Sequence, residues 1–310
     1  MVSSAQQVWL PRQFGSLDGL PAGLGYARWD GRSGFPSDPG GVEFYVPPLV
    51  QDIRAISRPL ALMTRLRAVQ ALSSGTDELR AELTGSAGRV TLCSARGVHA
   101  RSTAELALTL MLASLRGIPG FVRDQGRGMW RAEVRPSLCG RSVLIVGHGA
   151  LGRALEELLV PFGCAVTRVA RHERESVRGP VFSVERLPSL VGEADVVVLA
   201  TPLTPATRRL FDAAVLGRMK DGALLVNVGR GGVVDTAALV DEVRGGRLLA
   251  ALDVTDPEPL PAGHPLRTAP GVLITPHVGA FTPSLWPRLE DLIRRQLERF
   301  AAGEELVNIV

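Results

Sequence analysis

The chain has 310 residues, of which 45% are hydrophobic and 21% charged, a composition typical of a globular protein large enough for two domains. Its net charge is +4 and no run of about five or more like charges occurs, so we expect no nucleic-acid partner. Three widely spaced cysteines, Cys93, Cys139 and Cys164, match neither a disulfide framework nor a zinc site, so no metal is expected.

The N-terminal residues lack the features of a secretion signal. "MVSSAQQVWLPRQFG" has no basic segment followed by an apolar one, and no apolar run approaches the roughly 18 residues that a membrane span needs. We therefore expect a soluble protein of the reducing cytoplasm, without a membrane partner.

The first 95 residues predict a small α/β unit. Its strand candidates are "QVWLP", "LGYARWD", "VEFYVPP" and "RAVQAL", separated by loops rich in glycine and proline, and one helix is predicted at "LVQDIRAISRPLALM". A long helix is predicted at 100–118, and the amphipathic pattern of 284–304 predicts another at the end of the chain.

From about residue 140 onward, short apolar strands alternate with helix-like segments. The six strands are "SVLIVG" (142–147), "AVTRVA" (165–170), "DVVVLA" (195–200), "ALLVNV" (223–228), "LLAALDV" (248–254) and "GVLIT" (271–275). Most are continuous apolar runs, which indicates burial on both faces, and the segments between them are long enough for crossover helices. This pattern predicts a doubly wound parallel α/β sheet.

The loop after the first of these strands carries a phosphate-binding pattern. In "VLIVGHGALGRALEELL", Gly147, Gly149 and Gly152 fit GxGxxG between a strand and a helix. Backbone N–H groups and the helix dipole face a pyrophosphate there, and side chains would block the turn, the phosphates and the helix packing. The pattern alone is weak, but in this context it predicts dinucleotide binding.

The end of the second strand bears on the choice of dinucleotide. In NAD enzymes an acidic residue at this point binds the ribose 2′-hydroxyl, but "AVTRVARHER" has Ala170 there, followed by Arg171. No carboxylate would repel a 2′-phosphate, and Arg171 could bind one. NADP(H) is therefore favoured and NAD(H) is possible; a solvated arginine without a ligand is the alternative interpretation.

Four ionisable residues follow neighbouring strands of the predicted sheet. Arg230 follows the fourth strand, Asp253 and Glu258 lie at and after the fifth, and His277 follows the sixth. Each has an ordinary structural explanation, but ligands of such sheets bind at the carboxyl ends of the strands. Their joint presence beside a dinucleotide loop predicts a catalytic set.

Four motifs stand in this order along the second half of the chain: "HGALGR", "TPLTPATRRLF", "RMKDGALLVNVGRGGVVDTAALVDEVRGGRLLAALDVTDPEPLP" and "HPLRTAPGVLITPHVGA". Together they resemble the D-isomer-specific 2-hydroxyacid dehydrogenase family, and the resemblance extends over nearly all of 130–282. Weaker similarity extends through "LRAVQALSSGTDEL", "STAELAL" and "RGMW", whereas the region before about residue 65 is not diagnostic. Their order and spacing are much more specific than the glycine loop alone.

The resemblance implies a two-domain fold. A Rossmann cofactor domain, 96–282, would be inserted into a discontinuous, flavodoxin-like α/β substrate domain made of 1–95 and 283–310, with the active-site cleft between them. It also implies a homodimer, with much of the interface supplied by 100–135.

The same resemblance implies roles for the ionisable residues. Arg230 would bind the carboxylate of a 2-oxo acid near its carbonyl oxygen, His277 would exchange the proton, and Glu258 would hydrogen-bond the imidazole and favour its protonated form. Asp253 would hold the nicotinamide carboxamide. Besides the glycine loop, Ala170 and Arg171, the cofactor would be lined by Ala150, Leu151, Thr201, Pro202, Val228, Gly229 and Gly279.

The substrate would be bound from two sides. Ser74 and Gly75 in "SSGTD" would offer backbone N–H groups to its carboxylate, and Trp286 would line the pocket or pack between the domains. Gly229 and Gly231 are expected to leave room for the nicotinamide and the acid beside Arg230.

Three functions follow as candidates. The first is an NAD(P)-dependent reductase of small 2-oxo acids such as glyoxylate or hydroxypyruvate. The second is a phosphoglycerate dehydrogenase, which is disfavoured because no regulatory domain follows the last helix before Val310. The third is a dinucleotide-sensing, corepressor-like binding protein, against which the complete set of arginine, glutamate and histidine argues.

Overall fold

The computed structural model describes residues 6–49, 56–84 and 90–310 and divides the chain into two compact units. The first unit consists of the residues up to His99 together with Pro283–Val310, and the second is Ala100–Thr282. The chain therefore leaves the first unit, forms the second and returns to the first for its last helix.

The first unit contains a five-stranded parallel sheet in the order β2-β1-β3-β4-β5, the strand order of flavodoxin-like folds. Its strands are β1 (Gln6–Pro11), β2 (Leu24–Trp29), β3 (Val42–Tyr45), β4 (Ala68–Gln70) and β5 (Thr91–Cys93). The first four were predicted and β5 was not. Of the helix predicted at 49–63, residues 50–55 lie outside the described residues.

The second unit contains an eight-stranded sheet in the order β13-β12-β11-β10-β6-β7-β9-β8. Its strands are β6 (Ser142–Val146), β7 (Ala165–Ala170), β8 (Arg174–Ser176), β9 (Gly179–Ser183), β10 (Val196–Leu199), β11 (Leu224–Asn227), β12 (Leu249–Leu252) and β13 (Val272–Ile274). All neighbours are parallel except β8, which is antiparallel to β9. The six predicted strands are confirmed, whereas the β8–β9 hairpin was not predicted.

The described helices connect these strands. They are α1 (Asp77–Glu82), α2 (Ala100–Leu115), α3 (Ile118–Gly126), α4 (Ala150–Leu159), α5 (Leu187–Leu190), α6 (Ala213–Gly217), α7 (Thr236–Arg244) and α8 (Leu285–Ala302). The helix predicted at 100–118 is shorter than expected because Gly117, at φ +67°, separates α2 from α3.

Strand β11 shows why the strands of the second unit are continuous apolar runs. Leu225 packs into one hydrophobic cluster, whereas Leu224 and Val226 pack into another that contains Ala104 and Leu110 of α2. Both faces of the sheet are therefore buried, and polar groups become available only where the strands end.

Helix α2 belongs to the buried part of the second unit, with Ala104, Ala107, Leu110 and Met111 all inaccessible to solvent. In the part of the chain that the structure describes, no single helix is long and apolar enough to cross a membrane. Helices α2 and α3 reach that length and composition only as a pair bent by 65°.

Candidate active site

The glycine loop joins β6 to α4, and its three glycines serve different purposes. Gly147 has φ +107°, and a Cβ there would lie 2.6 Å from the carbonyl carbon of Ala200. A Cβ at Gly152 would lie 2.3 Å from the carbonyl oxygen of Gly147. At Gly149, by contrast, a Cβ would meet no atom within 4 Å. Two glycines therefore permit the turn and the helix packing, while the third leaves space for a phosphate.

The start of α4 has the properties of an anion site. Gly149 is the N-cap and no side chain caps the helix, so the backbone N–H groups of its first residues, which include Ala150 and Leu151, are left for a ligand. A Cβ at Gly147 would lie 2.8 Å from the amide nitrogen of Thr201, whose buried hydroxyl has no hydrogen-bond partner among the described residues. The space and the unsatisfied polar groups fit a bound dinucleotide.

The adenosine end of the predicted cofactor site lies at the end of β7. Ala170 is partly buried and pairs with Ser183 of β9, and Arg171 is exposed. The Ser183 hydroxyl donates to the carbonyl oxygen of Arg171 at 3.4 Å. The strand therefore ends without a carboxylate, on a side chain that can receive a phosphate.

Arg230 follows β11 in a turn that Asn227 holds. The side-chain amide of Asn227 donates to the carbonyl oxygen of Arg230 at 3.0 Å, and its oxygen accepts from the amide of Gly229 at 3.1 Å. Asn227 is buried, and Arg230, which is partly buried, directs Nη1 to the carbonyl oxygen of Gly229 at 2.8 Å. The guanidinium is thus oriented at the carboxyl end of a rigid strand.

The glycines on either side of Arg230 do not leave the room that the sequence suggested. A Cβ at Gly231 would lie 2.0 Å from the carbonyl carbon and oxygen of Thr255, and one at Gly229 would lie 2.6 Å from the carbonyl oxygen of Thr201. The prediction that these two glycines leave space for the nicotinamide and the acid is therefore wrong, because protein backbone occupies that space. Glycine is required there so that the neighbouring loops can approach.

Asp253 joins the end of β12 to the loop that carries His277. Its buried carboxylate accepts hydrogen bonds from the Thr275 hydroxyl at 2.6 Å and from the amides of Val278 at 2.9 Å and Gly279 at 3.0 Å. A carboxylate has about four acceptor sites, so this network leaves one for a ligand. In the structure Asp253 holds the loop, and its contact with the carboxamide stays a prediction.

His277 and Glu258 form the central pair of the site. The Nδ1 atom of His277 lies 2.5 Å from Oε1 of Glu258, and both side chains are partly exposed. Burial alone would raise the pKa of the Glu258 carboxyl, but the hydrogen bond with His277, the amide of Thr255 and the charge of Arg230 bring that pKa below its ordinary value. The pair therefore keeps an ionised carboxylate on one imidazole nitrogen and leaves Nε2 for other chemistry.

The remaining predicted residues lie in three places. Pro202, Val228 and Gly279 belong to the second unit: the carbonyl of Pro202 accepts from Thr207, the amide of Val228 donates to Leu199, and Gly279 is buried. Ser74 and Gly75 lie in the loop after β4 of the first unit, where the Ser74 hydroxyl donates to the Ala95 carbonyl at 3.3 Å. Trp286 packs partly buried against the hydrophobic core of the first unit.

Two residues of this region were missed from the sequence. Asn227 reads as part of an apolar strand, and Thr275 as an ordinary strand end. The available signal was their position: each is polar at the carboxyl end of a run that is otherwise apolar, where a buried side chain needs partners.

The chain matches the family model described as "D-isomer specific 2-hydroxyacid dehydrogenase, NAD binding domain" over residues 108–279. It is also similar to the glyoxylate reductase/hydroxypyruvate reductase of Mus musculus, with 34% identity over 70% of this chain and 68% of that protein.

Solved structures resemble both units. A D-isomer specific 2-hydroxyacid dehydrogenase from Xanthobacter autotrophicus Py2, in complex with NADPH and MES, is 28% identical with a TM-score of 0.80, covering 99% of this chain and 98% of that one. An NADPH-dependent glyoxylate/hydroxypyruvate reductase from Sinorhizobium meliloti, in complex with NADP and malonate, is 25% identical with a TM-score of 0.82, covering 99% and 97%.

Proposed function

The chain belongs to the D-isomer-specific 2-hydroxyacid dehydrogenase family, and we propose that it reduces small 2-oxo acids, glyoxylate or hydroxypyruvate among them, with NADPH. The observation that carries the proposal is the bond of 2.5 Å between His277 and Glu258, close enough to Arg230 for its charge to act on the carboxylate. A proton donor next to a fixed cation is what the reduction of a ketone beside a carboxylate requires.

Arg230 binds and polarises the substrate in this mechanism. Its planar guanidinium can hold the substrate carboxylate with two hydrogen bonds and still lie near the ketone oxygen. The turn held by Asn227 fixes the backbone of Arg230 before substrate arrives, so little orientation entropy is lost at that step.

His277 handles the proton. Glu258 occupies Nδ1, which leaves Nε2 to donate a proton to the ketone oxygen during reduction and to accept it in the reverse direction. When bound, the reduced nicotinamide supplies the hydride to the carbonyl carbon. The ionised Glu258 holds the imidazole through Nδ1, and Asp253 holds the loop from which His277 projects.

Two observations support a preference for NADPH. The end of β7 has Ala170 and the exposed Arg171 in place of an acidic residue, so a 2′-phosphate meets positive charge there. The similar proteins from Xanthobacter autotrophicus and Sinorhizobium meliloti are described with NADPH and NADP.

We also propose a homodimer in the cytoplasm. Residues 118–134 carry apolar side chains on the surface, among them Trp130, which is 97% exposed, and a fully exposed Val134. The three free cysteines are compatible with a reducing compartment.

A panel of 2-oxo acids assayed with NADPH and with NADH tests the proposal. Glyoxylate and hydroxypyruvate should be reduced faster than 3-phosphohydroxypyruvate, and kcat/KM should be higher with NADPH than with NADH. No oxidation of either cofactor with any 2-oxo acid would contradict the function, and a preference for the phosphorylated acid would favour the phosphoglycerate dehydrogenase alternative.

A further inference from the structure

We propose that Arg174 is a second arginine of the 2′-phosphate site and that the glycine loop itself holds it in place. The inference rests on the NADPH preference proposed above. It concerns a residue of the β8–β9 hairpin, which lies beyond the strand end that normally selects the cofactor.

The hairpin returns Arg174 toward the glycine loop. Strand β9 pairs in parallel with β7, and β8 pairs with β9 so that Arg174 lies opposite Val181, which in turn lies opposite Arg168 of β7. From this position the Arg174 side chain reaches back across the carboxyl edge, and its Nη2 donates to the carbonyl oxygen of His148 at 2.7 Å. His148 is the residue between the first two glycines of the loop.

The carbonyl that anchors Arg174 is itself immobilised. The His148 side chain is 2% exposed, and its Nε2 lies 2.8 Å from Oε2 of Glu156 in α4. The other carboxylate oxygen of Glu156 accepts from Nε of Arg168 at 2.8 Å. A buried chain of hydrogen bonds therefore ties the loop to both α4 and β7, and a side chain bonded to this carbonyl has a defined position rather than that of a free surface arginine.

Arg174 retains donors for a ligand. A guanidinium has five N–H groups, and the structure directs two of the nitrogens at carbonyl oxygens, those of His148 and, at 3.4 Å, His172. The residue is exposed, and the alternation of strand β8 turns Glu175 to the opposite side. The 2′-phosphate carries nearly two negative charges, which Arg171 and Arg174 together would balance.

The test uses 2′,5′-ADP and 5′-AMP as probes, because they differ only in the 2′-phosphate and report binding without catalysis. Their dissociation constants are measured by calorimetry for the wild type, for Arg174→Gln and for the control Arg178→Gln, which removes an exposed arginine from the turn of the same hairpin. We expect Arg174→Gln to weaken 2′,5′-ADP about tenfold or more and 5′-AMP by less than about twofold, with Arg178→Gln close to wild type.

The outcomes separate this inference from the proposed function. A wild type that prefers 2′,5′-ADP, with a preference unchanged in Arg174→Gln, would overturn the role of Arg174 and leave the NADPH preference standing. Equal weakening of both nucleotides would also overturn it, because Arg174 would then only support the loop. A wild type without any preference for 2′,5′-ADP would overturn both.

Discussion

His277 has a backbone conformation that few residues other than glycine adopt, with φ +54°. Two backbone carbonyls accept from its amide, those of Asp253 at 2.9 Å and Thr275 at 3.0 Å, and the Asp253 carboxylate holds the next two amides. Such conformations persist where the surroundings over-determine them, and they cluster at functional sites. The imidazole is therefore positioned by the loop as well as by Glu258.

Replacing His277 with alanine should remove the proton donor and leave cofactor binding intact. We expect kcat for 2-oxo acid reduction to fall by a factor of about 100 or more, while 2′,5′-ADP binds as in the wild type. His264→Ala is the matched control, because His264 caps a short turn of the second unit through Nδ1. Steady-state kinetics on both variants check this, and an unchanged kcat in His277→Ala would eliminate the mechanism.

Glu258→Gln should lower the rate of reduction. A carboxylate only accepts hydrogen bonds, so Glu258 keeps an N–H at Nδ1 of His277, whereas a glutamine amide can also donate and no longer fixes that arrangement. We expect kcat to fall by a factor of about ten or more. Burial would raise the pKa of the Glu258 carboxyl, but its hydrogen bond with His277 brings that pKa below the ordinary value, so wild-type activity should fall at acid pH only below the usual range of a glutamate. Profiles of kcat against pH for both proteins measure this, and an unchanged kcat in Glu258→Gln would contradict the role of Glu258.

At the scale of elements, two glycines of the loop between β6 and α4 are needed for different reasons, Gly152 for folding and Gly149 for binding the cofactor. Gly149→Ala adds a Cβ in open space and should leave stability unchanged while weakening NADPH binding at least about tenfold. Gly152→Ala brings a Cβ to 2.3 Å from the Gly147 carbonyl oxygen and should destabilise the protein by about 1–3 kcal/mol. Thermal unfolding and equilibrium binding distinguish the two, and a stability loss in Gly149→Ala would contradict this division.

The elements that could be predicted were those with strong local patterns. The six apolar strands of the second unit and four strands of the first could be predicted from hydrophobic runs. Arg230, Glu258 and His277 could be predicted as site residues because they are ionisable and follow the ends of such runs. Strands β5 and β8 have three residues each, and β8 is polar, so neither has a detectable periodicity. Contacts such as that of Arg174 with His148 depend on strand order, which local sequence does not contain.

At the scale of the whole molecule, the buried His148 and Glu156 make stability depend on pH. Burial lowers the pKa of His148, and the charges of Arg174 and Arg168 act in the same direction against the bond with Glu156. For Glu156, burial would raise the pKa, but the bonds from Arg168 and His148 lower it. Both groups bind protons more readily in the unfolded chain, so stability falls as pH drops below about 6.5 through His148 and again below about 4.3 through Glu156.

The variant His148→Gln should reduce the dependence of stability on pH in the upper of these two pH ranges. An uncharged amide can still bond to Glu156, but no proton is taken up there on unfolding. The slope of unfolding free energy against pH near pH 6 should therefore decrease by up to about 1.4 kcal/mol per pH unit. Denaturant unfolding at several pH values without dinucleotide measures the slope, with His264→Gln as the control. Equal slopes in the variant and the wild type would contradict the assignment.

The segment after α3 presents its apolar side chains in a fixed arrangement. Asp124 is buried, and its carboxylate binds the Arg131 guanidinium at 2.7 and 2.9 Å while its carbonyl accepts from the Met129 amide. Trp130 is therefore held out into solvent, although a free indole of this size would gain by burial. A second copy of the chain is the partner that the proposed homodimer supplies.

Charged residues on this segment should separate the proposed dimer into monomers. We expect the double variant Trp130→Asp, Val134→Asp to elute with a monomer mass in light scattering, because burying two carboxylates without partners opposes association. Val177→Asp, a matched control at an equally exposed position in the β8–β9 turn, should stay dimeric. Each variant should still unfold in one cooperative transition, because the replaced side chains make up none of the hydrophobic core. A monomeric wild type, or a double variant that remains dimeric, would refute the interface.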